Sequence, residues 1–112
     1  MKIEFIYHLL PEGEWTKVSG LMDYEPISLK QEGFIHFSFP NQIDSVIKRY
    51  YQNVDSLIIL KVDVSKIQSK LKIDEAPENG SFPHLFGKLN LDAVVGVYKI
   101  QIGSDGIYFW IE

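Results

Sequence analysis

The stretch Ser28-Leu29-Lys30-Gln31-Glu32-Gly33-Phe34-Ile35-His36-Phe37-Ser38 brings a turn, a short apolar strand, a histidine and two hydroxyls together. Gly33 breaks the local pattern, because glycine alone accepts φ > 0 without strain. After it, Phe34-Ile35-His36-Phe37 is rich in aromatic and β-branched residues and reads as a strand. Side chains alternate along a strand, so Phe34 and His36 share one face while Ile35 and Phe37 share the other. Ser38 falls on the face of His36. A histidine and a serine pointing into one space make a candidate polar site.

On the C-terminal side, Pro40 opens a helix through about Tyr51. Ile43, Val46, Ile47 and Tyr50 follow the i, i+3, i+4, i+7 rule and define its apolar face. Ser56 to Val64 is the strongest strand, and Leu57-Ile58-Ile59-Leu60, apolar on both faces, belongs at the centre of a sheet. A single helical turn is expected over Val64 to Ile67 and a strand over Leu71 to Glu75. Asn79-Gly80 signals a turn. Phe82-Pro83-His84-Leu85-Phe86-Gly87, bracketed by proline and glycine, reads as a loop pinned by its aromatics. Leu91 to Ile102 reads as a long strand, Gly103 to Gly106 as a turn, and Ile107 to Ile111 as a last strand hairpinned to the previous one.

On the N-terminal side, Phe5 to Leu10 reads as a strand ending at Pro11, with Tyr7 and His8 on opposite faces. Pro11 to Val18 reads as a short helix burying Trp15 and Val18, stopped near Gly20. Tyr24 to Ser28 reads as extended, since Pro26 pushes Glu25 out of the α region. The pattern totals about six strands and two main helices without regular alternation. It predicts an α+β domain with a mixed or mainly antiparallel sheet rather than a doubly wound parallel one.

At 112 residues the chain is one domain with enough length for a single core. The absence of cysteine excludes a disulfide framework, a thiolate zinc site and a cysteine nucleophile, and it fits a reducing compartment. A formal net charge of −4 argues against a non-specific nucleic-acid binder. No apolar run approaches the ~20 residues that span a membrane. Met1-Lys2-Ile3-Glu4-Phe5 starts a strand-like pattern without the shape of a signal peptide. The expectation is a cytoplasmic protein without a membrane or nucleic-acid partner, its oligomeric state left open.

All three histidines sit in apolar surroundings: Tyr7-His8, Ile35-His36 and Pro83-His84. Each is open to a plain structural role as a hydrogen-bonded imidazole. Their placement at strand ends and in a pinned loop points instead to a shared pocket, where either ring nitrogen can donate or accept. Three imidazoles would suit zinc, but the usual close pairings are absent. A Ser–His nucleophilic pair would use Ser28 or Ser38, without a G-x-S-x-G elbow to support it. Trp15, Phe34, Phe82 and Phe86 suit either the core or stacking on a planar ligand. Glu32 is open to a general-base role or to that of an exposed turn residue. Lys30, Arg49 and Lys88 carry charge suited to an anionic ligand, with Arg49 read as a solvated helix residue.

Tyr7-His8-Leu9, Ser28-Leu29, Glu32-Gly33-Phe34-Ile35-His36 with Ser38, Phe82-Pro83-His84-Leu85-Phe86-Gly87 and Leu91-Asp92-Ala93-Val94 together resemble the bacterial family called domain of unknown function 952. The resemblance covers nearly the whole chain. It implies an ADP-ribosyltransferase-like fold, a split mixed sheet around an NAD cleft. In that fold a histidine on the first core strand, often after an aromatic residue, contacts a ribose of NAD, and Tyr7-His8 matches it. Phe34 to Ser38 occupies the strand near the nicotinamide. The late catalytic glutamate of ADP-ribosyl transferases has no clear match; Glu75, Glu78 and Glu112 are candidates by order only. RNA 2′-phosphotransferases share the fold and rely on arginines, of which this chain has one, Arg49. The resemblance thus implies NAD or a related nucleotide as ligand, with Tyr7, His8, Ser28 and Phe34 contacting it. His36, Ser38 and His84 stand at the reacting end, and no metal is expected. The alternative is a small-ligand-binding module that kept the cleft without the chemistry.

Overall fold

Leu57, Ile59 and Leu60 have no solvent exposure because the strand that carries them, the fourth in the chain, lies between two others. The computed structural model describes residues 3–76, 80–103, 106 and 108. Strand β4 (Ser56–Asp63) pairs antiparallel with β1 (Phe5–Pro11) on one side and with β8 (Val94–Gln101) on the other. Side-chain alternation on β1 and β4 feeds two cores. Ile6, Leu10, Ile58 and Leu60 enter one, and Tyr7, Leu9, Leu57 and Ile59 enter the other.

A second three-stranded sheet has the order β3 (Ile35–His36), β6 (Gly80–Phe86), β5 (Lys70–Ala76), and a two-stranded piece joins β2 (Asp23–Tyr24) to β7 (Leu89–Asn90). The α+β architecture stands, and among the described residues every strand pairing is antiparallel rather than mixed. The first core joins the two larger sheets, since Ile35, Phe37 and Leu85 pack into it beside the residues of β1 and β4. A two-way backbone bridge sews β1 to the end of β3: Tyr7 N–H donates to Ser38 O at 2.9 Å, and Ser38 N–H donates to Tyr7 O at 2.7 Å.

Helix α1 (Glu12–Val18) turns Trp15 and Val18 onto the first core. A 3-10 turn at Pro40–Gln42 leads into α3 (Ile43–Tyr50), which buries Ile43 and Ile47 in the second core. Tyr50, expected on the buried face, is 69% exposed. Tyr51 packs in its place, and its hydroxyl donates to Leu9 O at 3.1 Å.

Three segments depart from the sequence reading. The residues before Gly33 form a helix, α2 (Ile27–Glu32), with no buried residue and so no apolar stripe to announce it. Gly33 caps it in the left-handed conformation at φ 89°, its N–H donating to Leu29 O at 3.0 Å. The Phe82–Gly87 segment is the middle strand β6 and not a loop. Proline is tolerated there because the ladder stops at it: Phe37 N–H donates to Pro83 O at 3.0 Å, and Pro83 has no N–H to return. The expected Leu91–Ile102 strand starts only at Val94, after a 3-10 turn at Leu91–Ala93. The expected strand Ile107 to Ile111, Asn79 of the expected Asn79-Gly80 turn, and two of the late glutamates, Glu78 and Glu112, lie outside the described residues. Among the described residues no helix is long and apolar enough to cross a membrane.

Candidate functional site

His36 and His84 stand directly opposite each other in the β3–β6 ladder. The adjacent Phe37–Pro83 position carries the cross-strand hydrogen bond, so His36–His84 occupies the closer, non-hydrogen-bonded type of pair. Their rings meet edge to face with centroids 5.4 Å apart. Each ring is held by a carboxylate. His84 Nδ1–H donates to Asp74 Oδ2 at 2.8 Å, which leaves Nε2 as the unprotonated nitrogen of the neutral ring. Asp74 reaches it diagonally across the β5–β6 ladder, where Lys72 is the residue directly opposite His84. His36 Nε2 bonds Glu32 Oε2 across the Gly33 cap. Phe34 stacks on His84 at 4.1 Å and 22° and meets His36 edge-on at 4.9 Å, fixing both ring planes.

A cavity of about 670 Å³ opens beside this pair, within the usual size range of small-molecule sites. Its wall takes Ser28 and Glu32 from α2, His36, Phe37 and Ser38 from the β3 segment, and Phe82 and His84 from β6. Arg49 and Tyr50 of α3, Glu14 of α1, Tyr24 of β2 and His8 of β1 complete it. The three histidines, Ser28 and Ser38 are thereby brought to one wall. Arg49, exposed as expected of a surface cation, nonetheless faces this space.

Two expected contacts are not placed there. Tyr7 lies on the opposite face of β1, 2% exposed in the second core, because strand alternation sends it away from His8. Phe34 is not on the cavity wall and supports the histidines from beside it. Its half-buried ring also joins this aromatic cluster rather than a core. Glu75 is exposed on β5 and off the wall. Ser38 is buried and engaged through its backbone, and the partner of His36 is Glu32 rather than Ser38. No Ser–His nucleophilic pair is formed among the described hydrogen bonds. Among the described residues no group of three or more histidine, aspartate or glutamate side chains is set to hold a metal ion.

His8 differs from the other two. It is 7% exposed, and burial pushes its pKa down to about 4 against the opposing pull of the His36 carbonyl. Its Nδ1 lies 2.6 Å from His36 O and its Nε2 lies 3.0 Å from the Tyr24 hydroxyl. Two acceptors cannot meet at 2.6 Å, so Nδ1 carries the hydrogen and donates to the carbonyl. Nε2 of the neutral ring then accepts from Tyr24. Both nitrogens are spent inside the protein, which leaves no ring N–H for the ribose contact the resemblance implied. His8 instead ties the His36 backbone to β1. Tyr24, 2% exposed, also stands 3.2 Å from Glu14 Oε1, and burial with the Glu14 charge raises its pKa well above the usual tyrosine range.

Asp74, Tyr24 and Glu14 were not assigned from sequence. Glu32 was weighed as a general base or an exposed turn residue but not as the partner of His36, although its i, i+4 spacing to that residue is visible in the sequence.

A family model described as protein of unknown function (DUF952) matches residues 9–97. The crystal structure of protein CC0527 from Caulobacter crescentus is similar to this chain with a TM-score of 0.82 and 24% sequence identity, covering 94% of this chain and 93% of that one. The solution NMR structure of CC0527 gives a TM-score of 0.77 at 24% identity, covering 93% and 90%. At that identity the likeness is one of fold. No curated protein matches the chain.

Proposed function

Because the chain belongs to the family described as protein of unknown function (DUF952), whose description names no reaction, we propose a function from the site itself: an enzyme acting on NAD or a related nucleotide, with His36 and His84 as its acid–base pair. The single observation that carries this reading is the pairing of two imidazoles at one cavity, each oriented by its own carboxylate. General acid–base chemistry needs one ring to take a proton while its neighbour gives one, and a carboxylate on the far nitrogen sets the tautomer for either task. His84, with side-chain exposure of 15%, has the fixed Nε2 suited to the base. His36, with side-chain exposure of 55%, is open to solvent and suits the acid. Arg49 supplies positive charge for a phosphate, and Phe82 and Tyr50 offer rings to a planar base. Ser28 and Ser38 give the wall neutral polar groups. The ADP-ribosyltransferase-like architecture belongs to this proposal; a divided antiparallel sheet beside a cavity supports it.

The test is NAD titration followed by melting temperature, with turnover followed by proton and phosphorus NMR. Saturation at about 100 times the dissociation constant should add roughly 2.7 kcal/mol of stability. His36→Ala and His84→Ala should each lower turnover by about 10²-fold or more. Binding without turnover in wild type would leave the binding-module alternative. Failure of NAD, AMP and ADP-ribose to shift the melting temperature would end the nucleotide reading.

A further inference from the structure

Strand β5 is the outer strand of its sheet, and among the described residues no strand pairs with its far edge. The direction of its backbone groups follows from the ladder. Phe37 N–H donates to Pro83 O, so Pro83 and Leu85 turn their backbone toward β3, while Phe82, His84 and Phe86 turn theirs toward β5. Lys70, Lys72 and Asp74 stand opposite those three and spend their N–H and C=O groups on β6. Leu71, Ile73 and Glu75 therefore aim theirs at the free edge. Ile73 is 39% exposed there, on the face of the strand from which Leu71 packs on the first core.

We propose that this edge pairs with the same edge of a second copy of the chain, antiparallel and two-fold symmetric about Ile73. The charges along Lys70-Leu71-Lys72-Ile73-Asp74-Glu75 select both the partner and the register. Directly opposite residues of an antiparallel pair favour opposite charges and disfavour like ones. An axis through Lys70, Lys72, Asp74 or Glu75 sets that charge against itself, and an axis through Leu71 sets Lys70 against Lys72. Of the axes through residues 70–75, only the one through Ile73 sets Lys72 against Asp74 of the second copy, and it does so on both sides. In that register Ile73 exchanges both backbone bonds with its own counterpart, and Leu71 exchanges both with Glu75 of the second copy. The outward N–H and C=O groups are thereby satisfied, and the two half-exposed isoleucines cover each other. Charges on an edge strand discourage pairing with foreign apolar strands, so the pattern admits its own copy in preference to others. A seven-residue strand makes a small contact, and the dimer is a reversible one. It also reaches the candidate site, because Lys72 of the second copy comes to stand beside Asp74, the carboxylate that orients His84.

The experiment is sedimentation velocity on wild type, on Lys72→Glu, on Asp74→Lys and on an equimolar mixture of the two variants. Wild type should pass from monomer to dimer between about 10 µM and about 1 mM, as suits a small interface. Each variant alone sets like charges opposite each other on both sides of the axis. It should raise the dimer dissociation constant by about 10- to 100-fold. The mixture restores an opposite-charge pair at both positions and should dimerise as wild type does. Ile73→Pro is a further variant that spares the ladder to β6, since the N–H it removes faces outward. It should stay monomeric with the circular dichroism of wild type. A wild type that is still monomeric at about 1 mM overturns the proposal. So does a dimer that Lys72→Glu and Ile73→Pro leave unchanged, and these two decide the matter should Asp74→Lys fail to fold.

Discussion

Lowering the pH from 8 to 5 should cost this protein stability through His8 in particular. In the unfolded chain this imidazole takes up a proton near 6.5, whereas in the folded protein burial delays protonation to about 4. Between those values the unfolded state binds more protons, so acid drives unfolding. The gap is equivalent to about 3 kcal/mol once the pH is below both values. At pH 5, where the folded ring is still mostly neutral and the unfolded ring mostly charged, about 2 kcal/mol of that is already lost. The loss begins near pH 6.5, and stability is fully retained above it. The assay is urea unfolding at pH 8, 6 and 5, read by tryptophan fluorescence, since Trp15 packs on the first core. His8→Asn keeps an amide donor for the His36 carbonyl but cannot titrate. It should be less stable than wild type at pH 8, by about 1 kcal/mol for the lost His8–Tyr24 hydrogen bond. It should also show a pH dependence shallower than wild type by about 2 kcal/mol over the range. Other titrating groups cancel in that difference. Parallel curves for the two proteins would refute the neutral, buried His8.

Gly33→Val should destabilise by about 1–3 kcal/mol through backbone strain alone, because φ is 89° while no atom lies within 4 Å of an added Cβ. Gly33→Asn, which tolerates the left-handed region, should cost visibly less in the same thermal melts. Leu60→Ala should cost about 2–5 kcal/mol in urea titrations, since Leu60 is fully buried on the central strand and packs against both larger sheets.

The elements legible in the sequence are those with a strong apolar signal. Leu57 to Leu60 could only be a central strand, and Ile43 with Ile47 could only be one face of a helix. What escaped has a physical reason in each case. Helix α2 buries nothing, so its six residues before Gly33 look like the approach to a turn. Pro83 looks like a loop marker until the register shows that its missing N–H falls where the β3 ladder ends. The gathering of His8, His36 and His84 at one cavity was expected from strand ends and a pinned loop, although the segment carrying His84 is strand β6. Their partners were not. Asp74 is ten residues from His84 and reaches it only through the β5–β6 register, and Tyr24 comes to His8 from a separate sheet. Hydrogen-bond partners chosen by register leave no mark in local spacing.

The bond from His8 to the His36 carbonyl also bears on how the molecule is made. It joins residues 28 apart, and the His8–Tyr24 bond joins residues 16 apart. A chain still in search of its topology must close those loops before the buried imidazole has anything to bond to, at an entropy cost repaid only by the finished core. A half-collapsed chain lacks the cavity wall, which draws on β1, β2, the β3 segment, β6 and all three helices. Any ligand found to bind this cavity would therefore require completed folding, and would double as a reporter of the fraction of molecules that have reached the native topology.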